Sequence, residues 1–499
     1  MVAKVRRILG RVNRRKGALL YGLVASVTVV FIASAGRSHS TGFRSVGVMP
    51  AQAHSHTART VMPNGLAFTG QLSQTMFTQA SDGRVYLNLA VAVPEQPCEG
   101  SACGARRATD TIIILDRSGS MSADNRLPFA KRAIHALIDR LQPLDRLAVV
   151  AFDSSAEVIS PLSFLSENSK SALHAKVDAL APGSGTNISQ GMQLGGDLLL
   201  PSAGERAQKV ILLSDGEANE GIIDPQQLAR MASSVNRRAA SFSTIGMGLG
   251  FNEQLMANLA DWGGGSFSYL EHLEALGTIL DKNLKDARRL YASISSIEMR
   301  LPEHVRLIDA AGYPFEKTAD GFAIPFGELL AGSKKSATLT LEFPTDSIRT
   351  HSLGAISMRF KDSSGEHIVG LPSDIMKVAI VEHHRKAEVT ASINKDLYRQ
   401  SWLTNNLGLL KQSVQKGLSR GDTAGAAVSI ASYEKQLQNA ADAAGVDLAS
   451  PEVKAQISQM RGELSEASKG SGVEQQEKQN RLRKKYLYDG QSYQRSFNY

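Results

Sequence analysis

The chain has 499 residues, 42% of them hydrophobic, only two cysteines, and a formal charge of +8. That length exceeds what one hydrophobic core fills and predicts two or three domains. The charge is no sign of nucleic acid: Lys4, Arg6, Arg7, Arg11, Arg14, Arg15 and Lys16 stand before any acid and leave +1 for the remainder, so a phosphate-backbone partner is not expected.

Residues 1–16 form a basic cytoplasmic leader. Residues 17–35, GALLYGLVASVTVVFIASA, are an uncharged run long enough to span a hydrocarbon core as a helix. Positive charge on the N-terminal side keeps the leader in the cytoplasm and sends the following chain across the membrane. Two readings stay open: a transmembrane anchor, which is preferred, and a signal peptide cut near Ala35 that releases a secreted product. Residues 36–65 read as a polar linker and 66–107 as a β segment, in which Arg84–Val93 alternates apolar and polar residues. The same segment ends in CEGSAC, where Cys98 and Cys103 are expected to close a small disulfide loop in an oxidising compartment.

Residues 108–290 alternate short apolar runs with amphipathic stretches. Thr111–Leu115, Arg146–Phe152, Lys209–Ser214 and Ser241–Gly246 read as buried strands, and Leu127–Leu141, Ile188–Leu200 and Asp224–Ala239 as helices. Repeated strand, helix, strand predicts an α/β fold with a doubly wound, mostly parallel sheet, which binds ligands beyond the carboxyl ends of its strands. Residues 291–390 lose the helical period and read as an antiparallel, sandwich-like β domain. One arrangement joins Arg84–Val93 to that sheet, which makes the α/β domain an insertion whose two junctions lie side by side. Residues 391–470 return to helical spacing, with Leu397, Leu403, Leu407, Leu410, Val414 and Leu418 in one stretch and a second start at Ser450-Pro451, and read as a helical hairpin. Residues 471–499 read as a polar basic tail in which Arg481–Lys485 is a solvated face.

Three loops on the carboxyl edge of the α/β sheet concentrate oxygen. Asp116, Ser118 and Ser120 follow the first strand, Thr186 stands in the turn PGSGTN, and Asp215 follows Lys209–Ser214. Two carboxylates and three hydroxyls without His or Cys are hard ligands that suit Mg²⁺, Mn²⁺ or Ca²⁺ and suit zinc poorly. The set is too small to saturate an octahedral ion and leaves a position for an incoming carboxylate. Asp153 and Glu217 are candidate outer-shell carboxylates, with a solvated loop charge as the simpler reading of each.

DRSGS, GSGTN and LLSDGEAN, in that order, resemble the metal-ion-dependent adhesion site of a von Willebrand factor type A (VWA) domain, and the resemblance extends over about 108–283. In feel it is similar to bacterial exported members and to calcium-activated chloride channel and inter-α-trypsin inhibitor heavy chain relatives. The resemblance implies that Ser118, Ser120 and Thr186 contact the metal, that Asp116 and Asp215 hold it directly or through water, and that a protein partner offers a Glu or Asp to it. The expected function is therefore a membrane-anchored binding protein, periplasmic or at the cell surface, and not an enzyme. The alternatives are a metal-assisted hydrolase, which lacks an evident general base, and an assembly protein whose metal only stabilises the fold. Two features are set aside: GMGLG at Gly246–Gly250 lacks the third glycine of a dinucleotide loop, and His54, His56, His383 and His384 stand in linker-like contexts.

Overall fold

The computed structural model describes residues 56–95, 108–200, 206–215, 218–248, 251–270, 275–373, 375–470 and 472–495. The leader and the apolar run at 17–35 lie outside the described residues, as do Cys98, Cys103 and Glu217. Among the described residues no helix is long and apolar enough to cross a membrane.

Among the described residues four strands come first: β1 (Thr57–Val61), β2 (Ala67–Leu72), β3 (Met76–Thr78) and β4 (Arg84–Ala92). β1 corrects the expectation of a linker over 36–65. It pairs with β2 from Thr57↔Gln71 to Val61↔Ala67 but buries only Ala58, so it carries almost no hydrophobic alternation to betray it.

The α/β domain follows as β5 (Thr109–Asp116), α1 (Arg126–Arg140), β6 (Arg146–Phe152), β7 (Ala156–Phe164), α2 (Glu167–Asp178), α3 (Ile188–Asp197), β8 (Ala207–Ser214), α4 (Pro225–Arg237), β9 (Ala240–Met247), α5 (Glu253–Trp262), β10 (Gly264–Leu270) and α6 (Leu276–Arg288). Its sheet runs β10-β9-β8-β5-β6-β7, parallel throughout except for β7 at the edge. β5 is apolar in succession because both of its faces are covered. Ile113 and Leu115 enter a core with Ile134 of α1, Leu173 of α2 and Leu280 of α6, while Ile112 and Ile114 enter the opposite core with Met192 of α3, Leu228 of α4 and Leu255 of α5. At Gly195 a β-carbon would stand 2.5 Å from Ile114 Cδ1, so α3 lies against β5 with no room for a side chain.

The β region resumes as β11 (Leu290–Ala292), β12 (Ile294–Arg300), β13 (Arg306–Ala310), β14 (Glu316–Thr318), β15 (Gly321–Pro325), β16 (Leu329–Leu330), β17 (Lys334–Glu342), β18 (Thr350–Ser352), β19 (Ala355–Asp362), β20 (Gly365–Gly370) and β21 (Lys377–Val381). Two five-stranded sheets, β1-β2-β4-β17-β13 and β14-β15-β12-β19-β20, share one core that includes Phe68, Leu87, Ile297, Leu339 and Phe360. β4, which precedes the α/β domain, pairs along its whole length with β17, which follows it, from Arg84↔Glu342 to Ala92↔Lys334. The α/β domain is thus inserted into the sandwich. Asp145 straps its two junctions together: one carboxylate oxygen accepts from the Thr109 amide at 2.9 Å, and the other from Arg288 Nη2 at 2.7 Å. Burial pushes the Asp145 pKa up, but these donors and the Gln142 amide outweigh it and hold the group below its ordinary value.

Five helices follow among the described residues: α7 (Lys386–Ala391), α8 (Lys395–Ser419), α9 (Thr423–Ala444), α10 (Pro451–Ala467) and α11 (Val473–Arg495). The hairpin expected over 391–470 is three long helices, and the region expected to be a polar tail is largely a fourth. α8 covers the outer face of the β4–β17 pair, where Asn406 Nδ2 donates to the Tyr86 hydroxyl at 3.2 Å. α11 buries Leu482 and Tyr486 in the same helical core as Trp402 and Leu407. Its basic run is solvated at Arg481 and Lys485, as expected, but not at Lys484, which is 1% exposed. The Lys484 ammonium donates to the Phe251 carbonyl at 3.1 Å and stands 3.6 Å from the Phe251 ring centroid. Glu253 at the start of α5 supplies the opposite charge to Lys484 and to Arg483, at 3.4 and 2.9 Å.

Candidate functional site

β5 delivers Asp116 fully buried at the carboxyl edge of the sheet. One Asp116 oxygen accepts from the Ser118 amide at 2.8 Å and the other from the Ser214 hydroxyl at 2.5 Å. The Ser118 hydroxyl lies 3.1 Å from that of Ser120, which donates to Asp215 Oδ1 at 2.8 Å. A continuous chain of hydrogen bonds therefore joins the ends of β5 and β8, adjacent parallel strands in register from Thr109↔Ala207. Desolvation, with the neighbouring Asp215 charge adding to it, pushes the Asp116 carboxyl up to about 6 against the hydrogen bonds that it accepts.

The second Asp215 oxygen is taken by Arg126, whose Nη1 stands 2.5 Å away, while Nη2 reaches Asp124 at 2.9 Å. This guanidinium was missed from sequence. It is brought over the carboxylates by two successive left-handed residues, Asp124 at φ 51° and Asn125 at φ 57°, which join the 3-10 turn Gly119–Asn125 to α1. Asp and Asn tolerate that region better than other side chains. Gly248, at φ 76°, leaves the space: a β-carbon there would meet Arg126 Nε at 2.7 Å. The signal that could have found Arg126 is its position, since a cation in the first turn of a helix opposes the macrodipole and needs a local partner.

Thr186 reaches the same edge through its backbone. The Gly119 amide donates to the Ser184 carbonyl at 3.0 Å and the Gly183 amide to the Arg117 carbonyl at 2.6 Å, which pins the glycine-rich turn to the β5 loop. On its other side the Thr186 amide donates to Asn219 Oδ1 at 2.8 Å, and its carbonyl accepts from the Asn219 amide at 3.2 Å. Asp153 is not the solvated loop charge expected. It accepts from Arg117 Nε at 3.1 Å and the Ser155 amide at 2.9 Å, and Gly183 approaches so closely that a β-carbon would stand 2.2 Å from Asp153 Oδ2. His383 and His384 sit in an exposed 3-10 turn.

The donor set fits a hard divalent cation. Two buried carboxylates and two hydroxyls share a few ångströms, and the arrangement holds together here with a guanidinium supplying positive charge. Among the described residues no group of three or more His, Cys, Asp or Glu is placed to hold an ion.

Residues 110–282 match the profile of the von Willebrand factor type A domain. An uncharacterised Escherichia coli protein, YfbK, is 28% identical over 188 residues, 36% of this chain and 31% of its own length. The chain thus matches less than a third of that relative. An uncharacterised Synechocystis protein, sll0103, is 24% identical over 355 residues, 66% of this chain and 79% of the other. A solved von Willebrand factor type A structure from Catenulispora acidiphila superposes with a TM-score of 0.59 over 82% of this chain and 91% of that one, at 16% identity, so the fold is shared. With the doubly wound sheet, the profile match identifies residues 110–282 as a von Willebrand factor type A domain, set into a β-sandwich.

Proposed function

We propose that this protein is an exported, membrane-tethered binding protein that holds a divalent cation, Mg²⁺ or else Mn²⁺ or Ca²⁺, with Asp116, Ser118, Ser120, Thr186 and Asp215, and uses it to engage a protein partner. The observation that carries the reading is the hydrogen-bonded chain from Asp116 through Ser118 and Ser120 to Asp215, with its charge balanced by Arg126. A bound cation supplies an electrophilic coordination position that a partner's Glu or Asp fills. The protein's own groups do the rest. Asp116 and Asp215 provide the charge, Ser118, Ser120 and Thr186 provide neutral oxygens, and Arg126 yields Asp215 by turning towards Asp124. The tether is residues 17–35, which leaves the domain in the periplasm or at the cell surface.

The test is co-purification of partners from solubilised membranes in Mg²⁺ and in EDTA, using the full chain and its Asp116→Ala variant. The expected result is a partner set recovered in Mg²⁺ and lost both in EDTA and with a folded variant. Partners retained equally in EDTA overturn the metal-bridged reading.

A further inference from the structure

α1 and α2 lie side by side on one face of the inserted domain, and between them two imidazoles meet. Nδ1 of His135 stands at hydrogen-bonding distance from Nδ1 of His174, with ring centroids 4.6 Å apart and planes inclined by 28°. The outer nitrogen of each ring faces a carboxylate: His135 Nε2 is 2.8 Å from Asp178 Oδ1, and His174 Nε2 is 3.0 Å from Asp139 Oδ1. Lys131, one turn before His135, donates to the Asp178 carbonyl at 2.8 Å and closes the side of the cluster. The two imidazole side chains are 21% and 28% exposed, so solvent reaches them.

The arrangement has an electrostatic requirement. An ionised carboxylate only accepts hydrogen bonds, so each Nε2 carries its hydrogen and donates it outward. In two neutral rings both Nδ1 atoms are then bare lone pairs aimed at one another, and a positive charge has to stand between them. A shared proton would meet that need. So would a metal ion, and the surroundings are those of metal-binding histidines, whose second nitrogen donates to a carboxylate that fixes ring and tautomer.

We propose that His135 Nδ1 and His174 Nδ1 form a site for a borderline divalent transition metal of the Zn²⁺, Ni²⁺ or Cu²⁺ class, with Asp178 and Asp139 as positioning residues. Zn–N bonds of about 2.0–2.1 Å place two ligating nitrogens roughly 3.4 Å apart in tetrahedral geometry, so the rings must part from hydrogen-bonded contact and turn until both lone pairs converge on the ion. Two protein ligands leave open positions that water or a donor on another molecule fills. The site is lined by nitrogen where the carboxyl-edge cluster is lined by oxygen, so the two sort ions by softness. The inference stands independently of the proposed adhesion site.

The full chain titrated with CuCl₂ at neutral pH and read by electron paramagnetic resonance tests it. Nitrogen hyperfine structure from two imidazoles is expected in the native chain and in Asp116→Ala, and its loss in both His135→Ala and His174→Ala. Zn²⁺ affinity, measured by competition, is expected to fall by about tenfold in Asp178→Asn. His135→Gln, which retains a hydrogen-bonding side chain, serves as second variant if an alanine variant fails to fold. Absence of nitrogen-ligated copper in the native chain overturns the proposal, and so does a signal unchanged in the folded histidine variants.

Discussion

Arg126 opens α1 where the helix dipole disfavours a cation, and it remains there because Asp215 and Asp124 hold it. Asp215 has no exposed side-chain surface, so deleting its partner strands a buried charge. Arg126→Ala is expected to cost about 3 kcal/mol in EDTA and to recover more stability on adding Mg²⁺ than the native chain does. Thermal unfolding with and without Mg²⁺ measures both, and equal losses in the two conditions contradict the expectation. Asp116 adds a pH dependence. Its carboxyl is raised to about 6 and must lose its proton to hold a cation, so Mn²⁺ affinity should fall as pH drops through 6. Titrations between about pH 5 and 7.5 read this directly, and a flat profile is evidence against Asp116 as a ligand. The oxygens were legible in sequence because three stand within five positions on one loop, and a second strand-end carboxylate, Asp215, follows an equally apolar run. Arg126 was not, since it meets Asp215 across 89 positions, and neither was the pair of His135 with His174, which lies across 39.

At the level of elements, legibility followed burial. β5, β8 and β9 are buried at every position and stand out as apolar runs. α2 buries only Leu173 and Val177, too sparse for a helical period. α5 has only 10 residues, and although Gln254 and Asn258 mark its exposed side, the burial of Glu253 and Asp261 beside Leu255, Met256 and Leu259 blurs the stripe. α3 shows the opposite case: its glycines depress helix propensity yet are what seat it. Gly195→Ala gains propensity, but its methyl would fall 2.5 Å from Ile114 Cδ1, and a net loss of about 1–3 kcal/mol is expected from overpacking. Urea unfolding measures it, and a stabilised variant would mean that α3 shifts freely over β5.

Over the whole molecule the least legible feature is the last helix. α11 is strongly polar, and only its tertiary partners reveal that Leu482, Lys484 and Tyr486 are inward-facing. Burial pushes the Lys484 ammonium down to about 8 although Glu253 opposes the shift, so the group is mostly charged at neutral pH inside an apolar contact. Lys484→Glu places like charges together beside Phe251 and is expected to cost at least about 3 kcal/mol and to free α11 from α5. Hydrogen exchange of Val473–Arg495 reads this, and unchanged protection would show that contacts with α8 alone hold the helix.

The inserted domain is fastened to the sandwich at the amino edge of its sheet, where Asp145 grips both chain crossings, while the oxygen cluster crowns the carboxyl edge. A load applied at the cluster would therefore run lengthwise down β5 to the junction at Thr109, while β8 meets the β region through the Lys209–Glu328 ion pair at 3.1 Å. Strands drawn along their axes resist as a sheared ladder, in which many hydrogen bonds must fail at once instead of unzipping one by one. Such a layout would carry a load from the carboxyl edge to the sandwich without first peeling the sheet apart.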